Sequence, residues 1–292
     1  MTLFELIGNT PLVKIEHIHQ SKNVTIYGKL EGQNPGGSVK DRAAYGMIKA
    51  ALDRGDIKRG DKLVEATSGN TGIALAMIAQ AFGLNMTLLM PSNSTKERVL
   101  AMRAYGAEVI LTDADRTIEY SRELAEEMSA NEGYYMLNQF ANEDNYKMHY
   151  QTTGPEIWRD TDQKITHFVS AMGTTGTIMG VSRYLKEVNP DIQIVGTQPT
   201  EGSSIPGIRR WSPEFLPKIF EKDRVDRIID VSEEDARTMA RRLTKEESIL
   251  SGMSSGGALQ AALEVANEID SGVIVFIVCD RGDRYLSSDL FE

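Results

Sequence analysis

The chain has 292 residues, of which 41% are hydrophobic and 25% charged, with a formal net charge of −10 at pH 7. This length predicts two lobes, and the negative charge argues against nucleic acid or an anionic membrane as a partner. The single cysteine, Cys279, excludes an internal disulfide, and the four histidines show no metal-ligand spacing. The first twelve residues lack the apolar length of a signal peptide, and no apolar run reaches the roughly 18 residues of a membrane span, so we expect a cytoplasmic protein.

Short β-rich runs alternate with longer helical stretches along the chain. The predicted strands are 24–30, 63–66, 86–90, 108–112, 166–170, 192–197 and 273–279. The predicted helices are 73–82, 96–105, 119–130, 143–160, 176–188, 233–246 and 256–269. This alternation is typical of an α/β fold with mostly parallel sheets. The segment 273–279 is apolar throughout, which predicts a central strand covered by helices on both faces.

The segment from Asn34 to Arg42 reads Asn-Pro-Gly-Gly-Ser-Val-Lys-Asp-Arg and places a lysine at the start of a helix. Ser38 followed by Asp41 suggests a capping box, so Lys40 would lie in the first helical turn, where the helix dipole lowers the pKa of an ammonium group. An amine with a lowered pKa is suited to Schiff-base chemistry. From these residues alone, a solvent-exposed lysine at an ordinary helix start is the simpler interpretation.

A second glycine-rich turn follows the predicted strand 166–170 and reads Gly-Thr-Thr-Gly-Thr from Gly173 to Thr177. Backbone amides and threonine hydroxyls would converge here at the positive end of the following helix, an arrangement that suits a phosphate dianion. The turn has neither a Walker lysine nor the dinucleotide-binding glycine pattern, so a phosphorylated cofactor fits better than a nucleotide. A turn without a ligand remains an alternative.

Two further turns place small polar residues before helices. The run from Thr67 to Gly72 could hold a carboxylate through amides and hydroxyls, with Asn70 free to bond a polar ring substituent, or it could simply cap a helix. In the run from Gly252 to Gly257, Ser254 could donate to a buried acceptor or act as a cap.

Taken together, these four motifs closely resemble those of the O-acetylserine sulfhydrylases, which are two-lobed fold-type II pyridoxal-phosphate enzymes related to the tryptophan synthase β chain. The similarity begins at Ile7-Gly-Asn-Thr-Pro-Leu12 and continues almost to the C-terminus in family order. The segments 203–211 and 279–287 look like the B isozyme, although that isozyme often has alanine where Gly36 stands. The resemblance implies a smaller mobile lobe at 38–143 and a larger lobe formed by 1–37 and 144–292.

The resemblance also implies roles for the motif residues. Lys40 would carry pyridoxal 5'-phosphate as a Schiff base and then move the substrate's α-proton, Asn70 would bond the ring's phenolic oxygen, and Ser254 would bond the pyridine nitrogen. The phosphate would be held by Gly173, Thr174, Thr175, Gly176 and Thr177. The substrate carboxylate would be held by Thr67, Ser68, Gly69, Thr71 and Gln139.

The implied reaction is β-replacement of acetate in O-acetyl-L-serine, through an α-aminoacrylate intermediate, by sulfide to give L-cysteine or by thiosulfate to give S-sulfocysteine.

Arg209 and Arg210 are either an exposed charged pair or, as the resemblance favours, an anion clamp for the sulfonate of thiosulfate. Cys279 ends a fully apolar strand, so it is expected to be a packing residue or part of the pocket wall rather than a nucleophile. The family also implies a homodimer. The alternatives are a cystathionine β-synthase-like enzyme, a serine/threonine dehydratase, or a binding protein without catalytic activity.

Overall fold

The computed structural model describes residues 1–67 and 69–292. The strands are β1 Leu12–Lys14, β2 Val24–Leu30, β3 Lys62–Ala66, β4 Asn85–Pro91, β5 Glu108–Thr112, β6 Tyr135–Met136, β7 His167–Ala171, β8 Gln193–Pro199, β9 Arg227–Val231 and β10 Gly272–Val278. The α-helices are α1 Lys40–Arg54, α2 Asn70–Phe82, α3 Lys96–Ala104, α4 Thr117–Asn131, α5 Glu143–Gln151, α6 Thr153–Asp160, α7 Gly176–Val188, α8 Glu233–Glu247 and α9 Met253–Glu268. The predicted α/β fold is confirmed.

The larger sheet has six strands in the order β1-β2-β10-β7-β8-β9. β1 pairs antiparallel with β2, and the other neighbouring strands are parallel. β10 lies between β2 and β7, and its residues from Ile274 to Val278 are buried. Helices cover both faces of a parallel sheet, so a central strand can be apolar at every position. The predicted central strand is confirmed.

The smaller sheet has four parallel strands in the order β5-β4-β3-β6, all drawn from residues 62–136. Next to it, α2 buries every residue from Thr71 to Ala79. A helix that is apolar all round must be enclosed by its neighbours, and here α1 and α3 pack against it. The two sheets fit the predicted two lobes, whose limits at 38 and 143 remain a prediction.

The predicted helix 143–160 is two helices, α5 and α6. Thr152 stands between them with φ −126° and ψ −66°, and its hydroxyl donates to the carbonyl of Met148 at 2.6 Å. Pro155 follows within the first turn of α6, where its missing N–H is tolerated. The chain therefore restarts a helix after Thr152 instead of continuing the first one. Among the described residues, no helix is long and apolar enough to cross a membrane.

Candidate active site

A cavity of about 840 Å³ lies between the two sheets, at the carboxyl ends of β3, β7 and β8. In parallel sheets the loops after the strands commonly build the ligand site. The sequence-predicted residues that line this cavity are Lys40, Thr67, Gly69, Asn70, Thr71, Gln139, Gly173, Thr174, Arg209 and Arg210. A narrower recess next to it is lined by Lys40 and Asn70 together with Thr177, Ser254 and Cys279. The structure thus brings together residues from all four motifs.

Lys40 is the first residue of α1, and its side chain borders both cavities. Burial lowers the pKa of its ammonium group, while the nearby Cys279 and Asp280 act in the opposite direction. The predicted direction of this pKa shift is confirmed. Its largest cause is desolvation by burial, which the sequence did not reveal.

The predicted capping box at Ser38 and Asp41 is wrong. The Ser38 hydroxyl accepts a bond from the Lys40 amide at 3.2 Å, but the Asp41 carboxylate accepts from the Gly36 amide at 2.5 Å and not from Ser38. A Cβ at Gly36 would lie 2.7 Å from Asp41 Oδ1. Gly36 therefore gives Asp41 the space to fold back over the loop that precedes Lys40.

The segment from Gly173 to Thr177, which the sequence predicts to bind phosphate and which is called the phosphate-binding loop below, leads into the N-terminus of α7. Thr175 precedes this helix with φ +69°, and its buried hydroxyl has no hydrogen-bond partner among the residues that the structure describes. The Thr177 hydroxyl lies 3.3 Å from Nε2 of His149, whose pKa is lowered to about 3 by burial and the charge of Arg42. His149 is therefore neutral near pH 7. An unsatisfied buried hydroxyl at a helix N-terminus fits a phosphate oxygen.

The segment 67–72, which the sequence predicts to bind the substrate carboxylate and which is called the carboxylate-binding loop below, joins β3 to α2. Ser68 lies outside the described residues. The Thr71 hydroxyl donates to Gln139 Oε1 at 2.8 Å, which leaves the Gln139 amide group to donate elsewhere. Thr67 Oγ1 accepts from the Gly69 amide at 3.3 Å. The structure thus joins Thr71 to Gln139 across 68 residues of sequence.

Asn70 contacts two residues that sequence reasoning missed. Its Nδ2 donates to Asp280 at 2.7 Å, and its Oδ1 accepts from Arg284 at 2.5 Å. Tyr285 also donates to Asp280, at 2.6 Å. These contacts hold the Asn70 side chain in one orientation at the cavity wall. No local pattern in the sequence joins position 70 to positions 280 and 284.

Ser254 lies in the first turn of α9, which begins after the N-cap residue Gly252. A Cβ at Gly207 would lie 3.4 Å from Ser254 Oγ, so this hydroxyl faces the loop after β8. The neighbouring Ser255 accepts a bond from the Cys279 amide at 2.9 Å. Neither serine is the N-cap of α9, which favours the donor interpretation for Ser254.

The structure separates the two adjacent arginines. Arg210 donates to the carbonyl of Pro199 at 2.8 Å and forms an ion pair with Asp230. Arg209 lies with its guanidinium carbon 5.6 Å from the centroid of the Trp211 ring, and burial lowers its pKa. Within the described ranges no salt bridge is formed by Arg209, although the charge of Glu119, which lines the same cavity, acts on its guanidinium and opposes the effect of burial. The two side chains are therefore not equivalent as anion ligands.

Cys279 stands at the base of the narrower recess. Burial and the charge of Asp280 raise the pKa of its thiol to about 12. A thiol with this pKa is almost fully protonated at neutral pH, and the thiolate is the nucleophilic form. The geometry thus supports the predicted role of Cys279 in the pocket wall.

This chain belongs to the family of pyridoxal-phosphate dependent enzymes, whose sequence profile matches residues 3–280. It is 56% identical over 291 residues to cysteine synthase B of Pseudomonas aeruginosa, covering 100% of this chain and 97% of that protein. It is also 56% identical over 290 residues to cysteine synthase B of Escherichia coli, covering 99% and 96%.

Solved structures show the same architecture. A cysteine synthase from Entamoeba histolytica superimposes with a TM-score of 0.92 at 40% identity, covering 99% of this chain and 90% of that one. An O-ureido-L-serine synthase superimposes with a TM-score of 0.93 at 34% identity, covering 99% and 94%. The cofactor is pyridoxal phosphate, and the unsatisfied Thr175 hydroxyl and the depressed pKa of Lys40 fit its phosphate and its aldehyde.

Proposed function

We propose that this protein synthesises L-cysteine by replacing the acetate of O-acetyl-L-serine with sulfide, and that it also accepts thiosulfate to give S-sulfocysteine. The observation that carries the proposal is the position of Lys40, a half-buried lysine with a lowered pKa that borders both cavities next to Asn70, Thr174 and Thr177. The names of its relatives support the cysteine-forming reaction. A homodimer in the cytoplasm remains a prediction.

Lys40 serves as the covalent anchor and the proton carrier in this proposal. Bound pyridoxal phosphate supplies an electron sink for the α-carbon of the amino acid. Because its pKa is lowered, Lys40 would offer a neutral amine that could hold the cofactor through its aldehyde and, when not so bound, could accept the substrate's α-proton. Ser254 would donate a neutral hydroxyl to the pyridine nitrogen, which leaves the ring a weaker sink than an aspartate would and favours elimination of acetate.

The residues around Lys40 position the substrate. Thr67, Gly69, Thr71 and Gln139 would bind the α-carboxylate, using the amides at the start of α2 and the side-chain amide of Gln139. Asn70, held by Asp280 and Arg284, would donate to the cofactor's phenolic oxygen. Closure of the predicted smaller lobe over this site would exclude water before the sulfur nucleophile adds.

Arg209 is the better candidate for the sulfonate of thiosulfate. Arg210 already has a salt-bridge partner in Asp230, whereas Arg209 lines the cavity over the Trp211 ring and forms no salt bridge in the described part of the chain, although the charge of Glu119 acts on it. Guanidinium groups bind tetrahedral oxyanions through paired charged hydrogen bonds. Hydrosulfide is small and needs little positioning, so a dependence on Arg209 should distinguish the two donors.

The test is a side-by-side assay of the holoenzyme with O-acetyl-L-serine and either sulfide or thiosulfate. Loss of a charge-assisted bond costs about 1.5–3 kcal/mol, so Arg209→Ala should lower kcat/KM for thiosulfate by roughly 10- to 100-fold. The same variant should leave sulfide turnover within about threefold, and Arg210→Ala is the matched control with a smaller effect on thiosulfate. No cysteine from wild-type protein would refute the function, and equal losses with both donors would refute the role of Arg209.

A further inference from the structure

Asn145, on α5, lies between the two binding loops and bonds to both. Its Nδ2 donates to the backbone carbonyl of Gln139 at 2.8 Å and to the hydroxyl of Thr174 at 3.2 Å. Only 2% of the Asn145 surface is exposed. One buried amide group therefore joins the residue expected to bind the substrate carboxylate to a residue expected to bind the cofactor phosphate.

The orientation of this amide is fixed by its partners. A backbone carbonyl can only accept, so the side chain must present its NH₂ group, and not its oxygen, to Gln139. The Asn145 oxygen then faces α7, where a Cβ at Gly176 would lie only 2.0 Å from it. Gly176 thus allows the Asn145 side chain to fit against the start of α7.

The same contacts determine the direction in which the Thr174 hydroxyl can donate its proton. Its hydroxyl oxygen accepts from Asn145 and also from the Gly176 amide at 3.4 Å. A hydroxyl has two acceptor positions and one proton, so with both acceptor positions filled the proton must point to a third partner. Thr174 lines the main cavity, and a phosphate oxygen of the bound cofactor would be that partner.

The backbone amide of Gln139 is bound by Glu65. The buried Glu65 carboxylate accepts from the Asn138 amide at 2.9 Å and from the Gln139 amide. Asn138 adopts φ +53°, a turn that presents these two successive amides. The amide, carbonyl and side chain of Gln139 are thus bound by Glu65, Asn145 and Thr71 respectively, and of these three partners Asn145 alone reaches the phosphate-binding loop.

We infer that Asn145 is a positioning residue that couples the phosphate-binding loop to the carboxylate-binding loop, so that each loop is correctly placed only while the other is. This inference rests on the proposed function for the identity of the carboxylate ligand. It predicts that a change made at one loop weakens binding at the other. A residue with a merely structural role would lower stability without this cross-effect.

The first test uses Asn145→Asp, which keeps the shape but presents an acceptor to the Gln139 carbonyl. Apoprotein is titrated with pyridoxal phosphate and with pyridoxal, which lacks the phosphate. We expect the variant to bind pyridoxal phosphate about 10- to 100-fold more weakly and pyridoxal within about twofold of wild type. The matched control is Asn142→Asp at the N-cap of the same helix, since Asn142 bonds the Leu137 carbonyl and the Asp144 amide but not Thr174. Equal weakening for both aldehydes would overturn the inference.

The second test keeps the inference falsifiable if Asn145→Asp does not fold. Thr174→Val removes the acceptor of Asn145, and Thr174→Ser retains it. In cofactor-saturated holoenzyme, Thr174→Val should have a KM for O-acetyl-L-serine about tenfold higher than that of Thr174→Ser, which keeps the hydroxyl. An unchanged KM in Thr174→Val would overturn the coupling. If wild-type holoenzyme makes no cysteine, the proposed function fails, but the pyridoxal phosphate titration still tests the link between Asn145 and Thr174.

Discussion

Replacing Glu65 with glutamine should change the pH dependence of stability in a defined direction. Burial raises the pKa of the Glu65 carboxyl from 4.5 to about 7, although the Asn138 and Gln139 amides oppose the shift. Between these two values the folded protein keeps a proton that the unfolded chain has lost, so the contribution of Glu65 to stability falls as pH rises. Glutamine cannot ionise and removes this dependence.

The magnitude follows from the two pKa values. A shift of this size corresponds to about 3 kcal/mol when complete, and roughly 2.5 kcal/mol of it falls between pH 5 and pH 8. His149, with its pKa lowered to about 3, acts in the opposite direction below pH 6.5 in both proteins. Comparing the variant with wild type at each pH therefore cancels His149 and isolates Glu65.

The assay is urea unfolding of wild type and Glu65→Gln at pH 5 and pH 8, followed by circular dichroism. The measured quantity is the free energy of unfolding of the variant minus that of wild type. We expect this difference to be about 2.5 kcal/mol larger at pH 8 than at pH 5, because only wild type loses stability over this range. A difference independent of pH would mean that Glu65 ionises normally, and an opposite trend would mean that its carboxylate is stabilised by the two amides.

Two further outcomes follow from the site. Lys40→Ala should fold, since it removes no packing partner from the core, but should lose the visible absorbance of the bound cofactor. Its turnover should fall by more than the roughly 10²–10⁴-fold cost of losing a proton-transfer group, and substantial cysteine synthesis would contradict the assignment of Lys40. Cys279→Ser should retain kcat within about threefold. Iodoacetamide should label Cys279 of wild type far more slowly at pH 7 than it labels a free thiol, because a thiol with a pKa of about 12 forms little thiolate. Rapid labelling with complete loss of activity would indicate a nucleophile instead.

Much of the fold was predictable because its elements have clear local signals. The strands Val24–Leu30 and Glu108–Thr112 and the helix Gly176–Val188 begin and end where the sequence predicts. β1, β6 and β9 were missed, since they are two to five residues long and carry partly exposed positions. Such strands depend on pairing with a neighbour, which a local pattern does not reveal.

The candidate site was predictable only as far as its motifs extend. Lys40, Thr174 and Arg209 stand in glycine-rich or charged segments and could be found from the sequence. Glu65 and Asn145 could not, because each is an ordinary residue of a strand or helix whose importance comes from a partner distant in sequence. The separation of Arg209 from Arg210 was also hidden, since it depends on Asp230 in the edge strand β9.

The order of strands in the larger sheet has a consequence for how the chain folds during synthesis. β10, close to the end of the chain, inserts between β2 and β7, and Gly272 pairs with Val24 across almost the whole sequence. The smaller sheet uses a continuous stretch from Lys62 to Met136 and can form while the ribosome is still translating. The larger sheet cannot form completely before its central strand has been synthesised. We therefore expect β2 to lack its parallel neighbour, and Lys40 to lack the nearby Cys279 and Asp280, until β10 has left the ribosome.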